Sequence, residues 1–431
     1  MMYYSTNGKA PDATLEKAVV RGLAEDRGLY MPRSLKTLPE HFYAHIHEMD
    51  FRDIACTAAD ALFGEDIAPD VLHRMVRDTL SFDCPVVKVE DGIWSLELFH
   101  GPTLAFKDVG ARFMARMLGY FASGREINVL VATSGDTGSA VANGFLGVDG
   151  VRVFVLYPKG KVSPIQECQF TTLGHNITAL EIEGNFDDCQ ALVKNAFMDA
   201  ELRAALPLTS ANSINVARFL PQSFYYFNAY ARLREQVFDG EPVMCVPSGN
   251  FGNLCAALFA AKMGLPLRRF IAANNANRVF FDFLQTGRYS PRASIQTLAN
   301  AMDVGDPSNF ARIFELYGRD AERVRAQISG AFVDDATISR SLRECLAANG
   351  YLLDPHGACG YRALKDGLQP GETGIFCETA HPAKFKEKVE AITGSEVAVP
   401  ERLAAFMRGR KQSVALGREY QGFREYLMEY K

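Results

Sequence analysis

Apolar residues return every three to four positions along the stretch "FKDVGARFMARMLGYF". Val109, Phe113, Met117 and Phe121 fall on one stripe, with Phe106, Met114 and Leu118 beside it. That period predicts a helix with one buried face, opening near Lys107. From about residue 127 the pattern changes. The β-rich runs "INVLVAT", "VRVFVLYP", "ITALEIEG", "PVMCVPSG", "RRFIAANN" and "GIFCET" are separated by helical patterns such as "FDDCQALVKNAF" and "NFGNLCAALFAAKMGLP". The last of these stops at Gly264 with Pro266 just beyond it, a helix-end signal. Strands that alternate with helices predict βαβ units and a parallel sheet covered on both faces. The first ~95 residues instead carry helical patterns, including "TLEKAVVRGLAE", "EHFYAHIHEMD" and "APDVLHRMVRDTL". The final stretch from "PERLAAFMRGRK" onward reads as charged and helical, its basic residues forming a solvated face.

Composition narrows the classes. The chain has 431 residues, 48% of them hydrophobic, and a formal net charge of −5. That is enough for a large core in two or three domains. Nothing in the charge balance calls for nucleic acid or an anionic membrane. No apolar run reaches membrane-spanning length, and the opening residues lack a basic region followed by an apolar one. There are nine cysteines and no C-x-x-C pair, so reduced core thiols and a cytoplasmic location are expected. His41 and His45 stand one helical turn apart without a supporting third ligand. A solvated face is expected there, and no metal.

Chemistry concentrates in three loops and one lysine. Ligands of α/β sheets gather at the carboxyl ends of strands, where "TSGDTG" (133–138), "SGNFGN" (248–253) and "ETAHPAKF" (378–385) all fall. In the second loop, Gly249 and Gly252 let backbone N–H groups converge ahead of a helix, and Asn250 and Asn253 add amides. This is a nest suited to phosphate. It lacks the G-K-[ST] ending of a Walker loop and is not G-x-G-x-x-G, so a nucleotide is not its expected ligand. The first loop offers hydroxyls and backbone donors suited to a carboxylate, although Asp136 inside it would repel one. Lys107 gains nothing from a helix N-terminus. A sequestered lysine can instead act as an amine nucleophile and form a Schiff base. Lysine, phosphate nest and carboxylate loop together describe a pyridoxal phosphate site. The alternatives are plain turns and a solvated Lys107–Asp108 pair.

The segments "HGPTLAFKD", "TSGDTGSAV", "KGKVSPIQE", "ANSINVARFLPQ", "PSGNFGN" and "DPHGACGY", with the opening "YYSTNG…GLAEDRGLYMP", resemble the threonine synthase family. That family belongs to the tryptophan-synthase-β-like, fold-type-II group of pyridoxal phosphate enzymes. The resemblance implies an α/β fold of two doubly wound units: a helical section over 1–95, a smaller α/β domain over 96–218 and a larger one over 219–431. It implies conversion of O-phospho-L-homoserine and water to L-threonine and phosphate, by γ-elimination and β-addition, in a monomer or homodimer. It makes Lys107 the Schiff-base lysine. Gly249, Asn250, Phe251, Gly252 and Asn253 become the cofactor-phosphate cradle, and Thr379 the partner of the pyridine nitrogen. Ser134 and Thr137 become carboxylate ligands. Asn212, Ser213, Asn215 and Arg218, assisted by Lys159 and Lys161, become the substrate-phosphate subsite. Asp136 stands where related dehydratases carry asparagine, which leaves open its contact with the cofactor's phenolic oxygen. The nearest rival is a phospho-lyase or dehydratase that releases 2-oxobutyrate.

Overall fold

The structure, a computed structural model, describes every residue except Ser123, Val237 and Lys431. In chain order the strands are β1 (Met2–Ser5), β2 (Ala13–Thr14), β3 (Tyr30–Pro32), β4 (Val86–Glu90), β5 (Ile93–Glu97), β6 (Ile127–Ala132) and β7 (Val151–Pro158). They continue with β8 (Ile177–Ile182), β9 (Leu208–Ser210), β10 (Val243–Pro247), β11 (Arg269–Asn274), β12 (Ile328–Phe332), β13 (Gly374–Glu378) and β14 (Val414–Leu416). The chain divides into two compact units, each assembled from separate stretches. One holds Met1, Met31–Phe106 and Phe219–Ala398. The other holds Met2–Tyr30, Lys107–Arg218 and Val399–Lys431.

The first unit is built on a six-stranded sheet of order β12-β11-β10-β13-β5-β4. Every neighbouring pair is parallel except β4 with β5. Strand β10 is buried along its whole length, as a parallel strand covered on both faces must be. The helix Gly252–Lys262 that follows is apolar nearly all round and buried from Gly252 to Ala260. The chain passes from β10 to β11 and β12 on one side, then returns to place β13 on the other side of β10. That reversal opens a crevice at the carboxyl ends of β10 and β13.

The second unit is built on an all-parallel sheet of order β14-β8-β7-β6-β9. Its reversal lies between β6 and β9, since β7 and β8 extend one way from β6 and β9 pairs with its other edge. The helix Lys107–Ala122 opens at Lys107 and buries Val109, Phe113, Met114, Met117 and Leu118. Residues 2–30 and 399–431 group with this unit, where the sequence pattern kept both apart from it. The tail earns its place by packing: β14 pairs with β8, and Phe423 and Leu427 enter the same core as Leu130, Phe154 and Leu192. The tail is therefore not wholly helical. All nine cysteines are free, and all but Cys168 are buried.

Candidate active site

The "SGNFGN" loop leaves the carboxyl end of β10. Phe251 takes the left-handed conformation at φ 60° as N-cap of the next helix, and it gives the first turn no side-chain hydrogen bond. The N–H groups of Gly252 and Asn253 stand in that first turn, where a helix has no internal partner for them. The two asparagines serve the protein instead. Asn253 Nδ2 donates to the Pro247 carbonyl at 3.0 Å, and its Oδ1 accepts from Ser248 Oγ and, at 2.9 Å, from Leu254 N–H. Asn250 Oδ1 accepts from Ser308 N–H at 2.6 Å, and Asn309 Nδ2 donates to the Asn250 carbonyl at 3.0 Å. Gly249 is required sterically: a Cβ there would lie 2.6 Å from the Met302 Cα. The loop is thus a braced backbone cradle. Its donor set is main-chain N–H at a helix N-terminus, which fits a phosphate group.

Thr379 follows β13, at the other side of the same crevice, and is 6% exposed. The segment before Lys107 is tied along it. Phe106 N–H donates to the Thr379 carbonyl at 2.8 Å, and Ala105 bridges Ala380. His381 N–H donates to the Leu104 carbonyl at 3.0 Å, and the buried Lys384 Nζ donates to the Thr103 carbonyl at 2.8 Å. Leu104 sits at φ 57°, an uncommon conformation for a branched side chain that these bonds hold in place. Tyr225 Oη donates to the Phe106 carbonyl. So the residue immediately before Lys107 is fixed through both its backbone groups.

In the second unit, "TSGDTG" and "NSINVAR" leave the carboxyl ends of β6 and β9, the two strands that flank the reversal. Thr133 Oγ1 frames the first loop by accepting from Gly135 N–H at 2.9 Å and Gly138 N–H at 2.8 Å. Ser134 and Thr137 are half-buried, and their hydroxyls make no hydrogen bond among the described residues. They are open to a ligand. Asp136 is buried in the first turn of the helix Asp136–Phe145, where the helix dipole favours an acid, and Gln166 Nε2 donates to its Oδ1 at 2.9 Å. Its negative charge is therefore answered locally. Gly135 lies at φ 142°, and a Cβ there would strike the same Gln166 side chain.

The "NSINVAR" residues divide. Asn215 is fully buried and committed: its Nδ2 donates to the Val19 carbonyl at 2.8 Å, and its Oδ1 accepts from Ala217 N–H at 3.0 Å. Arg218, 2% exposed, donates from Nε to the Ala211 carbonyl at 2.7 Å and from Nη1 to the Lys107 carbonyl at 3.1 Å. Its fork grips backbone and anchors the start of the lysine's helix. Asn212 and Ser213 remain half-buried. Lys107 itself is half-buried at the helix start. Lys159 pairs with Glu183 at 2.8 Å, which raises its pKa, and Lys161 is exposed.

Some groups close to these loops escaped the sequence reading. Gln166, Tyr225 and the buried trio Glu378, Asp354 and His356 act through folded contacts. For all but Tyr225, the signals in the sequence were the segments that contain them, "KGKVSPIQE", "ETAHPAKF" and the helix start "DPHG", an acid before proline. Burial pushes the Glu378 carboxyl well above its ordinary range, and the neighbouring Asp354 charge adds to the effect.

The family model for pyridoxal-phosphate dependent enzymes matches residues 79–376. Those for the threonine synthase N terminus and C-terminal region match residues 2–80 and 357–426. Threonine synthase of Escherichia coli K12 is 48% identical over 407 residues, covering 94% of each chain. The crystal structure of the Escherichia coli threonine synthase superposes with a TM-score of 0.94 at 44% identity over 100% of both chains. The pyridoxal phosphate-bound threonine synthase of Brucella melitensis gives 0.92 at 36% identity, over 100% of this chain and 99% of that one. A fully matched length, two terminal segments of one family and a braced phosphate cradle leave one assignment: the chain belongs to the threonine synthase family of pyridoxal-phosphate dependent enzymes.

Proposed function

We propose that this chain makes L-threonine and phosphate from O-phospho-L-homoserine and water. The observation that carries the reading is the extent of the likeness. Threonine synthases match the whole chain, terminal segments included, whereas a threonine deaminase shares only the fold, at 14% identity and a TM-score of 0.57. When bound, pyridoxal phosphate supplies an electron sink for the charge left at an amino-acid α-carbon. Gly249, Asn250, Phe251, Gly252 and Asn253 would hold its phosphate through backbone N–H groups, and Thr379 its ring nitrogen. Lys107 would anchor it covalently and, as the free amine, move protons at the substrate α-carbon. Ser134 and Thr137 would hold the substrate carboxylate. Asn212, whose Nδ2 also donates to the Ala132 carbonyl at 3.4 Å, and Ser213, with Lys161, would line the expected phosphate subsite. Asn215 and Arg218 would shape that subsite, with Arg218 also fixing the Lys107 carbonyl. Asp136, already paired with Gln166, would keep a polar edge near the cofactor. The reduced, buried thiols fit a cytoplasmic setting.

The test is a product balance. Cofactor-loaded protein is given O-phospho-L-homoserine, and phosphate, threonine and 2-oxobutyrate are measured together, with Lys107→Ala as the inactive comparison. Threonine should equal phosphate. Phosphate matched by 2-oxobutyrate would make the chain a phospho-lyase. Turnover retained in Lys107→Ala would remove the lysine from the mechanism.

A further inference from the structure

The first unit contains a buried polar chain that none of the steps above uses. It begins at Glu378, the last residue of β13 and the neighbour of Thr379. Glu378 is 0% exposed, and its Oε1 accepts from Asp354 N–H at 2.6 Å. Its carboxyl packs so closely on Gly357 that a Cβ there would lie 1.5 Å from Oε2. Asp354, also 0% exposed, caps the helix Pro355–Gly367. Its Oδ1 accepts from His356 N–H at 2.7 Å and faces His356 Nδ1 at 2.5 Å. The other ring nitrogen, His356 Nε2, accepts from Ala301 N–H at 3.1 Å. That contact assigns the ring proton to Nδ1, donated to Asp354. Ala301 is the centre of the 3₁₀ turn Asn300–Met302, and Met302 is the residue whose Cα backs Gly249 in the phosphate cradle.

Three titratable side chains are therefore buried in a row. The row runs from the loop that bears Thr379 to the turn behind the cradle. Burial of such groups costs stability, and apolar residues of similar volume would cost less. The far side of the turn is pinned too. Asp303 accepts from Thr297 N–H at 3.0 Å, Asn275 Nδ2 at 2.8 Å and Asn277 Nδ2 at 3.0 Å. Between that pinned end and the cradle, His356 holds the centre of the turn at Ala301.

We propose that Glu378, Asp354 and His356 are positioning residues, a buried latch that fixes the Thr379 loop against the cofactor-phosphate cradle. This rests on the pyridoxal phosphate reading. Converging N–H donors bind a phosphate well only within a few tenths of an ångström of their productive positions. Releasing Ala301 would let Met302 and Gly249 relax and the cradle open, with little effect on parts of the cofactor other than its phosphate.

The latch is tested by comparing two ligands, pyridoxal phosphate and unphosphorylated pyridoxal. Dissociation constants are measured by equilibrium dialysis for wild type, His356→Asn and His356→Gln, with thermal melts alongside. The asparagine amide can replace the Nδ1 donor but does not reach Ala301, whereas the glutamine oxygen reaches the Nε2 position. His356→Asn should weaken pyridoxal phosphate binding about tenfold and change pyridoxal binding less than about twofold. His356→Gln should keep most of the wild-type preference for the phosphorylated form. Equal losses for both ligands, no loss for either, or identical behaviour of the two variants would overturn the latch. If His356→Asn does not fold, Ala301→Pro deletes the donor from the other side and should give the same phosphate-specific loss; its absence would equally overturn the proposal. Wild type that binds neither ligand would refute the cofactor reading itself.

Discussion

Asp26 collects its donors from three parts of the N-terminal section. Its Oδ1 accepts from Ser5 Oγ at 2.6 Å and Gly28 N–H at 3.0 Å, and its Oδ2 from Lys9 N–H at 2.8 Å and Ala10 N–H at 2.9 Å. Partial burial opposes its charge, but these hydrogen bonds prevail and bring its pKa from 3.8 down to about 2. The folded state then binds fewer protons than the unfolded one in that window. Its contribution is complete above the unfolded value and is lost as pH falls from about 4 to about 2. Asp26→Asn should therefore lower the melting temperature at neutral pH and flatten its decline across that window; parallel pH profiles for both proteins would refute this account. The same residue explains why "STNG" and "EDRG" occur together in the opening: one carboxylate joins them. At this scale residue types were legible and tasks only in part. Arg218 and Asn215 have side chains suited to phosphate, yet both also hold backbone carbonyls, because a buried carbonyl needs a donor as much as a ligand does. Which demand prevails depends on neighbours distant in sequence, Val19 and Lys107 among them.

Elements were legible where their period was long. The helix from Lys107 and the fully buried, mostly apolar strands of both sheets follow directly from pattern. The short strands did not show: β9 and β14 have three residues each, too few for any period. Strand β14 is held by pairing with β8, more than two hundred residues earlier, which local pattern cannot report. The helix after it, Tyr420–Met428, looks charged but is anchored. Phe423 and Leu427 are 0% exposed, while Arg424 Nε and Tyr420 Oη both donate to Asp199 Oδ2, at 2.9 and 2.8 Å. Phe423→Ala should then destabilise the protein by about 3–5 kcal/mol through the cavity it leaves. Arg418→Ala, at an exposed pair 3.9 Å apart, should change stability by less than about 0.5 kcal/mol. Denaturant unfolding of both variants decides between an anchored tail and a solvated one.

The whole molecule repeats one architectural device. Each unit has a sheet that is wholly or mostly parallel, with a reversal of strand order, and the two loops leaving the strands at that reversal carry the chemistry-bearing sequences. The alternation of strands and helices made the sheets legible, but strand order and the interleaving of chain segments were not, because both depend on which edges pair across long separations. The arrangement implies a division of labour. The cradle after β10 and Thr379 after β13 would serve the cofactor, and the hydroxyls after β6 the substrate. Two single variants separate these tasks. Gly249→Ala places a methyl 2.6 Å from the Met302 Cα, so the cradle backbone must shift. Pyridoxal phosphate affinity should fall about tenfold or more, and activity should return when cofactor is added in excess. Ser134→Ala removes one hydroxyl that has no hydrogen-bond partner among the described residues, so folding should lose little. It should raise the KM for O-phospho-L-homoserine about tenfold, with cofactor affinity unchanged. Cofactor titrations and initial-rate kinetics on both proteins measure the split. If Gly249→Ala raised KM at saturating cofactor, or Ser134→Ala weakened cofactor binding, the two loops would act on one group, and the assignment of separate tasks to the two reversals would fall.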